Sequence, residues 1–348
     1  GRQPFLSDNK SFSVSFNGEI YNYLELRDEL IELGHGPFKT ESDTEVLVKS
    51  YEVWGTDCFK KFNGFWAIAI LDYDRLILSR DRVGKKPLYF TDDNSSVVFA
   101  SEITPLVNYR RRNDFDLTLN DKAVFDYLRL DRRNSNFDSF FSEIKQIQPS
   151  TYTEFKLSNT SIQSTNKFWS LDKINRSQDF DLESGIESFN EVLENSISLR
   201  LRADVPLEAN LSGGLDSGAI VAVASKLLNA GNKKLTTHNI RYKNNKSLDE
   251  SNAAKQIAKY CGADFRLLEI GKSNAFTDID QLIISAEEPV HSMAALVQNL
   301  AWHQISSEGF KVILHGSAND EIMLGYDYLK KIELINRLKS GQLKSLFR

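Results

Sequence analysis

The chain has 348 residues, 41% of them apolar and 26% charged, with a formal net charge of -5. That length exceeds what one core usually supports, so two domains are expected, and the acidic balance with no basic run longer than Arg110 to Arg112 leaves no field for nucleic acid. Cys58 and Cys261 stand far apart without C-x-x-C spacing, which argues against disulfides and zinc, and no apolar stretch reaches the ~18 residues of a membrane span, so a soluble cytoplasmic protein is expected.

From Phe12 to Phe16 apolar residues alternate as in a strand, and the turn-forming NGEIYN, Asn17 to Asn22, leads into a helix with Tyr23, Leu26, Leu30 and Leu33 on one face and Gly34 at its end. A second helix is predicted from Asp43 to Trp54. Closely spaced strands follow at Gly64 to Asp72 and Arg75 to Asp81, joined by a tight turn at Tyr73 and Asp74, with further strands at Leu88 to Phe90 and Ser96 to Ala100. This half reads as a layered α+β unit. Between Arg110 and Asp181 the chain turns polar, and the domain boundary is placed near its end: 1–175 and 180–348.

The second half alternates. A helix from Gly185 to Leu199 precedes strand Val205 to Leu211, helix Ala219 to Leu228, strand Leu235 to Tyr242, helix Ser251 to Tyr260, strand Asp264 to Ile270, helices Ile279 to Ala286 and Ala294 to Glu308, and strand Val312 to His315. That order predicts an α/β doubly wound parallel sheet, whose ligands bind outside the carboxyl ends of the strands.

At one such end lies LSGGLDSG, Leu211 to Gly218. Gly213 and Gly214 let the backbone approach an anion, while the first amides of the following helix and the hydroxyls of Ser212 and Ser217 point at it. Asp216 adds a requirement. A carboxylate about 4 Å from a phosphate is repelled by ~4 kcal/mol at an effective dielectric near 20, more than the ~2 kcal/mol that a helix N-terminus offers at most, so a divalent cation must lie between them. The Walker pattern is absent. The loop resembles the SGGxDS loop of the ATP pyrophosphatases, which split ATP between its α- and β-phosphates.

FNGEIYNY, TESDTE, NGFWAIAILD, SRDRVGKKPLYF, FASE and LRLRADVPLEANLSGGLDSG occur in one order, and with them the chain resembles glutamine-hydrolysing asparagine synthetase over nearly its whole length. The resemblance implies an N-terminal nucleophile (Ntn) glutaminase-like domain followed by an ATP pyrophosphatase domain. It assigns glutamine binding to Asn17, Gly18, Glu19 and Asp43. ATP binding falls to Leu211, Ser212, Gly213, Gly214, Asp216, Ser217, Ile240, His315 and Gly316, magnesium to Asp216 and Asp320, and catalytic roles to Asp320 and Glu321. ATP and Mg2+ are the implied cofactors, and glutamine and a carboxylic acid the implied substrates; a homodimer is compatible with this, and neither nucleic acid nor membrane is expected.

Two departures qualify the resemblance. The family's nucleophile is a cysteine at the mature N-terminus. The chain opens at Gly1 without methionine and ends in a basic stretch at Arg348, so it reads as a fragment lacking that cysteine, and on its own it is expected not to hydrolyse glutamine. Ser317 stands where the family usually carries an acidic residue, and His315 where serine is usual, which puts aspartate as acceptor in question. The alternatives are an ammonia-dependent or sugar-acid amidotransferase, or a nucleotide-binding homologue without catalysis.

Overall fold

A computed structural model describes residues 3–93, 95–133, 137–173, 181–242, 249–270, 275–290, 292–323 and 325–339. The chain forms two compact units: Gly1–Phe180 with Ile283–His291, and Asp181–Leu282 with Ser292–Arg348. The expected boundary between 175 and 180 lies outside the described residues.

The first unit contains, in chain order, β1 (Phe5–Leu6), β2 (Phe12–Ile20), α1 (Tyr23–Glu32), α2 (Asp43–Trp54), α3 (Cys58–Lys61), β3 (Gly64–Asp72), β4 (Arg75–Arg80), β5 (Tyr89–Asp92), β6 (Val97–Ala100), α4 (Thr104–Arg112), α5 (Asp121–Leu130), β7 (Lys145–Gln146), β8 (Thr151–Lys156) and β9 (Ser161–Lys167). An antiparallel sheet runs β1-β2-β3-β4-β8-β9, and a smaller one β6-β5-β7. The central strand β3 explains the layering. Trp66, Ile68 and Ile70 enter a core with Leu26 and Leu30 of α1 and Val46 and Leu47 of α2, while Ala67 and Ala69 enter a second core with Leu88 and Phe90. Successive side chains of a strand point to opposite faces, so a strand covered on both reads as the unbroken apolar run WAIAI. Tyr89 faces the other way from Phe90 and packs with Leu106 and Val107 of α4. Two sheets stacked between helices result.

One expectation is corrected. Asn17, Gly18 and Glu19 do not form a turn: β2 continues to Ile20, with Asn17 opposite Ala67, Gly18 opposite Trp66 and Glu19 opposite Phe65. Pairing with β3 overrides the turn preference of these residues. The polar stretch after Arg110 carries β8 and β9, whose threonines are sheet formers; Thr151, Thr153 and Phe155 are buried at alternate positions. Ser42 caps α2, its hydroxyl accepting the Thr44 N–H.

The segment Ile283–His291 belongs to the first unit through side-chain bonds. Buried Glu288 accepts the Phe140 N–H at 3.2 Å and pairs with Arg133 at 3.3 Å, Glu287 accepts the Thr104 N–H at 3.0 Å, and the Tyr127 hydroxyl donates to the Val290 carbonyl at 3.0 Å. Burial pushes the Glu288 carboxyl above its ordinary range, against the Phe140 N–H and Arg133.

The second unit contains α6 (Leu182–Arg200), β10 (Leu207–Asn210), α7 (Leu215–Ala230), β11 (Thr236–Tyr242), α8 (Ser251–Cys261), β12 (Asp264–Ile270), α9 (Ala275–Ala286, its end in the first unit), α10 (Met293–Ser307), β13 (Val312–Leu314), α11 (Asn319–Met323) and α12 (Asp327–Lys339). The sheet is parallel throughout, in the order β12-β11-β10-β13. From β10 the chain winds outward through β11 and β12, then returns to β10's other side with β13, so the order reverses between β10 and β13. At such a switch point the connections leave the sheet on opposite faces and open a crevice at the carboxyl ends.

Candidate functional site

In the first unit, β2 presents Asn17 and Glu19 on one exposed face, two residues apart. Gly18 between them is required by the pairing with β3: a Cβ there would lie 2.0 Å from the Phe65 carbonyl oxygen. Asp43, at the start of α2, accepts the Ile20 N–H through Oδ2 at 3.0 Å, which ties the end of β2 to the helix. Burial raises the Asp43 carboxyl above the usual aspartate range, opposed by the Ile20 and Thr44 N–H groups. The four expected glutamine-site residues therefore converge at the end of one strand. In the first turn of α2, buried Glu45 accepts the Lys39 and Thr40 N–H groups at 2.8 and 2.6 Å; burial alone would raise its carboxyl, but the bonds from Thr40 and Lys39 outweigh it and hold it below the ordinary range.

Two partners here escaped the sequence reading. The Asn17 amide donates to Ser101 Oγ at 3.1 Å, joining the strand to the serine of FASE. Asp81, fully buried, accepts four backbone N–H groups: Val83 and Lys85 on Oδ1, both at 3.1 Å, and Trp66 and Lys86 on Oδ2, at 3.2 and 3.0 Å. Arg80 fastens the same loop, donating to the carbonyls of Gly84, Lys86 and Ile147. The loop ends over the glutamine strand's neighbour, with the Lys85 ammonium 4.0 Å from the centre of the Phe65 ring. The run SRDRVGKKPL contains the signal, an aspartate followed by a turn, though only pairing buries it.

Cys58 is fully buried, and burial pushes its thiol far above the normal range; Cys261 is partly exposed and also raised by burial. Neither has the lowered pKa of an activated thiol.

In the second unit the glycine loop is shorter than predicted, because α7 begins at Leu215 and takes Asp216 and Ser217 into its first turn. Gly213 has φ +98°, and a Cβ on it would meet the Glu250 carbonyl at 3.0 Å. Ser212 Oγ lies 2.9 Å from Ser217 Oγ and accepts the Gly214 N–H at 3.2 Å, which braces the loop. No side chain caps α7, so its first amides are left without a side-chain acceptor at the helix start. Asn239 on β11, absent from the sequence reading, donates to the Leu211 carbonyl at 2.8 Å. Ile240 beside it packs its side chain against the core of Leu268, Ala301 and Ile305.

The turn after β13 meets the same loop. A Cβ on Gly316 would lie 3.1 Å from Ser217 N and 3.3 Å from Asp216 Cβ, so glycine allows this approach. His315 precedes it, with Nε2 3.0 Å from the Asn210 amide and 3.2 Å from that of Gln298, and Nδ1 2.6 Å from Ser317 Oγ. Asp320 and Glu321 follow in the first turn of α11. β13 and β10 are parallel neighbours, so both acid-bearing turns leave the same edge of the sheet. Behind the crevice, His238 and Glu208 form a buried pair at 2.8 Å that the sequence reading did not foresee.

Among the described residues no group of three or more histidine, cysteine, aspartate or glutamate side chains could hold a metal ion alone. Asp216 and Asp320 stand on turns that leave the same sheet edge, and magnesium is usually bound by one or two carboxylates together with substrate phosphates and water. No helix among them is long and apolar enough to cross a membrane.

Stacked antiparallel sheets are thus followed in one chain by a parallel sheet with a glycine loop at its switch point. Residues 1–169 match the family model described as glutamine amidotransferase domain, and residues 188–347 the model described as asparagine synthase. The chain belongs to the glutamine-hydrolysing asparagine synthetase family. It is 29% identical over 344 residues to asparagine synthetase [glutamine-hydrolyzing] 3 of Bacillus subtilis, covering 94% of this chain and 54% of that protein. Identity to putative asparagine synthetase [glutamine-hydrolyzing] 2 of Methanocaldococcus jannaschii is 27%, covering 97% and 65%. To amidase chyE of Penicillium rubens it is 25%, covering 94% and 49%. The chain thus spans about half to two thirds of the length of these relatives.

Proposed function

We propose that the protein carrying this chain is an ATP-dependent, glutamine-using amidotransferase that adenylates a carboxylic acid and converts it to an amide, with release of AMP and pyrophosphate. In this reading residues 1–175 form the glutamine domain and 180–348 the synthetase domain. The observation that carries it is the uncapped start of α7, bearing Asp216 and faced by the Gly316 turn at the switch point of the parallel sheet.

The ribose phosphate of ATP lies along Ser212 to Ser217, where backbone N–H groups and two hydroxyls receive its oxygens. Asp216 and Asp320 would hold magnesium, which would supply positive charge to the departing pyrophosphate. The acid's carboxylate displaces that pyrophosphate from the α-phosphorus. On the glutamine side, Glu19 and Asp43 pair with the substrate ammonium and the Asn17 amide, steadied by Ser101, donates to the oxyanion formed when the carboxamide is attacked. The test is product analysis on the full-length protein with ATP, magnesium and a panel of acids. AMP and pyrophosphate appearing only with the right acid support the reading, and ADP with phosphate rejects it.

A second reading keeps this chemistry and changes the acid. Ser317 in place of an acidic residue favours it, as does the similarity to a relative named an amidase. Aspartate turning over faster than every other acid in the panel would reject it. The protein is proposed to work in the cytoplasm, and a homodimer is testable by sedimentation.

A further inference from the structure

We propose that Ser317 and His315 form a proton relay that serves the attack of ammonia on the acyl adenylate, Ser317 as the catalytic hydroxyl and His315 as the residue that positions and activates it. The inference rests on the adenylating reading above.

The backbone hydrogen bond on Nδ1 points to one state of the ring. The Ser317 backbone N–H points at His315 Nδ1 at 3.1 Å. A backbone amide only donates, so Nδ1 is the unprotonated nitrogen of a neutral imidazole and the ring proton resides on Nε2. The Ser317 hydroxyl, 2.6 Å from the same Nδ1, therefore donates to it as well. Nε2 faces two amide nitrogens, Asn210 Nδ2 at 3.0 Å and Gln298 Nε2 at 3.2 Å. A protonated Nε2 therefore requires at least one of these amides to be turned over so that its oxygen, not its nitrogen, meets the ring; an amide can be turned in this way, whereas the backbone N–H on Nδ1 cannot. One strand, β10, and one helix, α10, thus hold the far side of the ring, while its near side accepts the serine proton. A hydroxyl, an imidazole and a group that orients the imidazole make up the usual architecture for activating a hydroxyl.

The location suits the reaction. Ser317 is exposed, and the Gly316 turn before it packs on Asp216 and Ser217, where the phosphate loop meets α7. A neutral relay there also fills a position that usually carries a carboxylate, and it supplies the proton acceptor that the substitution would otherwise remove.

The ammonia lone pair forms a C–N bond to the carbonyl carbon of the acyl adenylate, and the C=O π pair moves to oxygen. One proton passes from nitrogen to Ser317 Oγ as the serine proton passes to His315 Nδ1. The tetrahedral species collapses, the bond from carbon to the phosphate oxygen breaks with its pair leaving on AMP, and the amide remains. The imidazolium then loses its proton to solvent.

Two measurements test the relay on the full-length protein. Long-range 1H–15N correlation of histidine-labelled protein, with His315 assigned by its loss in His315→Gln, should show Nδ1 unprotonated and Nε2 protonated, and Ser317→Ala should shift the Nδ1 resonance. The opposite tautomer overturns the proposal whatever the acceptor proves to be. The second measurement takes the ratio of amide formation to ATP–pyrophosphate exchange, with ammonium chloride as nitrogen source and aspartate or a uronic acid as acceptor. Ser317→Ala should lower that ratio about 100-fold or more, in line with general acid–base catalysis, and Ser317→Thr, which keeps the hydroxyl, should restore most of it. A structural role would lower both activities together and leave the ratio unchanged, which rejects the relay. Absence of exchange with every acid would instead reject the adenylating reading.

Discussion

Asp81 offers the most quantitative test of how the glutamine side is built. Its carboxylate is fully buried and accepts four backbone N–H groups, two on each oxygen. Asp81→Asn keeps the shape but turns one oxygen into a donor, so two of the four N–H groups face another N–H whichever way the amide lies. Hydrogen bonds to a charged group contribute about 1.5–3 kcal/mol each, so losing two costs about 3–6 kcal/mol. The loss is local, confined to the loop between Asp81 and Lys86 and to the start of β3. Native-state hydrogen exchange reads it directly: protection of the amides of Trp66, Val83, Lys85 and Lys86 should fall by about 10²–10⁴, while α7 in the other unit keeps its protection. Because the loop delivers Lys85 to the Phe65 ring beside Glu19, the glutamine KM should rise with it. A fall in protection below about fivefold would refute the assignment of the loop's order to this carboxylate.

Further outcomes follow from the same reasoning. Asp43 must be ionised to pair with the substrate ammonium, and burial raises its carboxyl above the ordinary range. Glutamine affinity should therefore fail on acidification at a higher pH than an ordinary aspartate would give, and Asp43→Asn should abolish that limb of the KM profile. Gly316→Ala puts a methyl group 3.1 Å from Ser217 N; nucleotide affinity measured by calorimetry should drop about tenfold or more, and an unchanged affinity would detach this turn from the site. Glu288→Ala strands Arg133, itself largely buried, and removes the acceptor of the Phe140 N–H, which should destabilise the first unit by about 3–5 kcal/mol in urea unfolding, whereas Glu288→Gln should cost less. A thiol reagent should label Cys261 well before Cys58, which is fully buried with its thiol pushed up; fast labelling of Cys58 would contradict the packing of the first core.

Periodicity located most elements, because their faces are buried one-sidedly. The helices α1, α2 and α8 begin and end close to where their apolar spacing and glycines place them, and WAIAI marks a strand covered on both faces. Elements stabilised only by pairing were harder to read. Asn17 to Glu19 carry turn-forming residues into a strand because β3 supplies partners for their backbone, and the threonine-rich β8 lacks the apolar contrast that would announce it. On the nucleotide side, the glycine loop and the Gly316 turn were legible as motifs. The residues that fix them, Asn239 behind the loop and Asn210 and Gln298 around His315, come from three elements far apart in sequence, and no local pattern links them. The same holds for Asp81 and Ser101. A carboxylate that accepts backbone N–H groups leaves no periodic trace, since its partners are amides that every residue carries.

The central claim, that the acid is activated by transfer to AMP, has a direct tracer. With the acceptor carboxylate labelled with 18O and the full-length protein turning over ATP, magnesium and glutamine, one labelled oxygen should appear in the phosphate of AMP, because the bond from the acid's oxygen to phosphorus survives when ammonia displaces the nucleotide. Label in inorganic phosphate, or AMP free of label while amide accumulates, would contradict it.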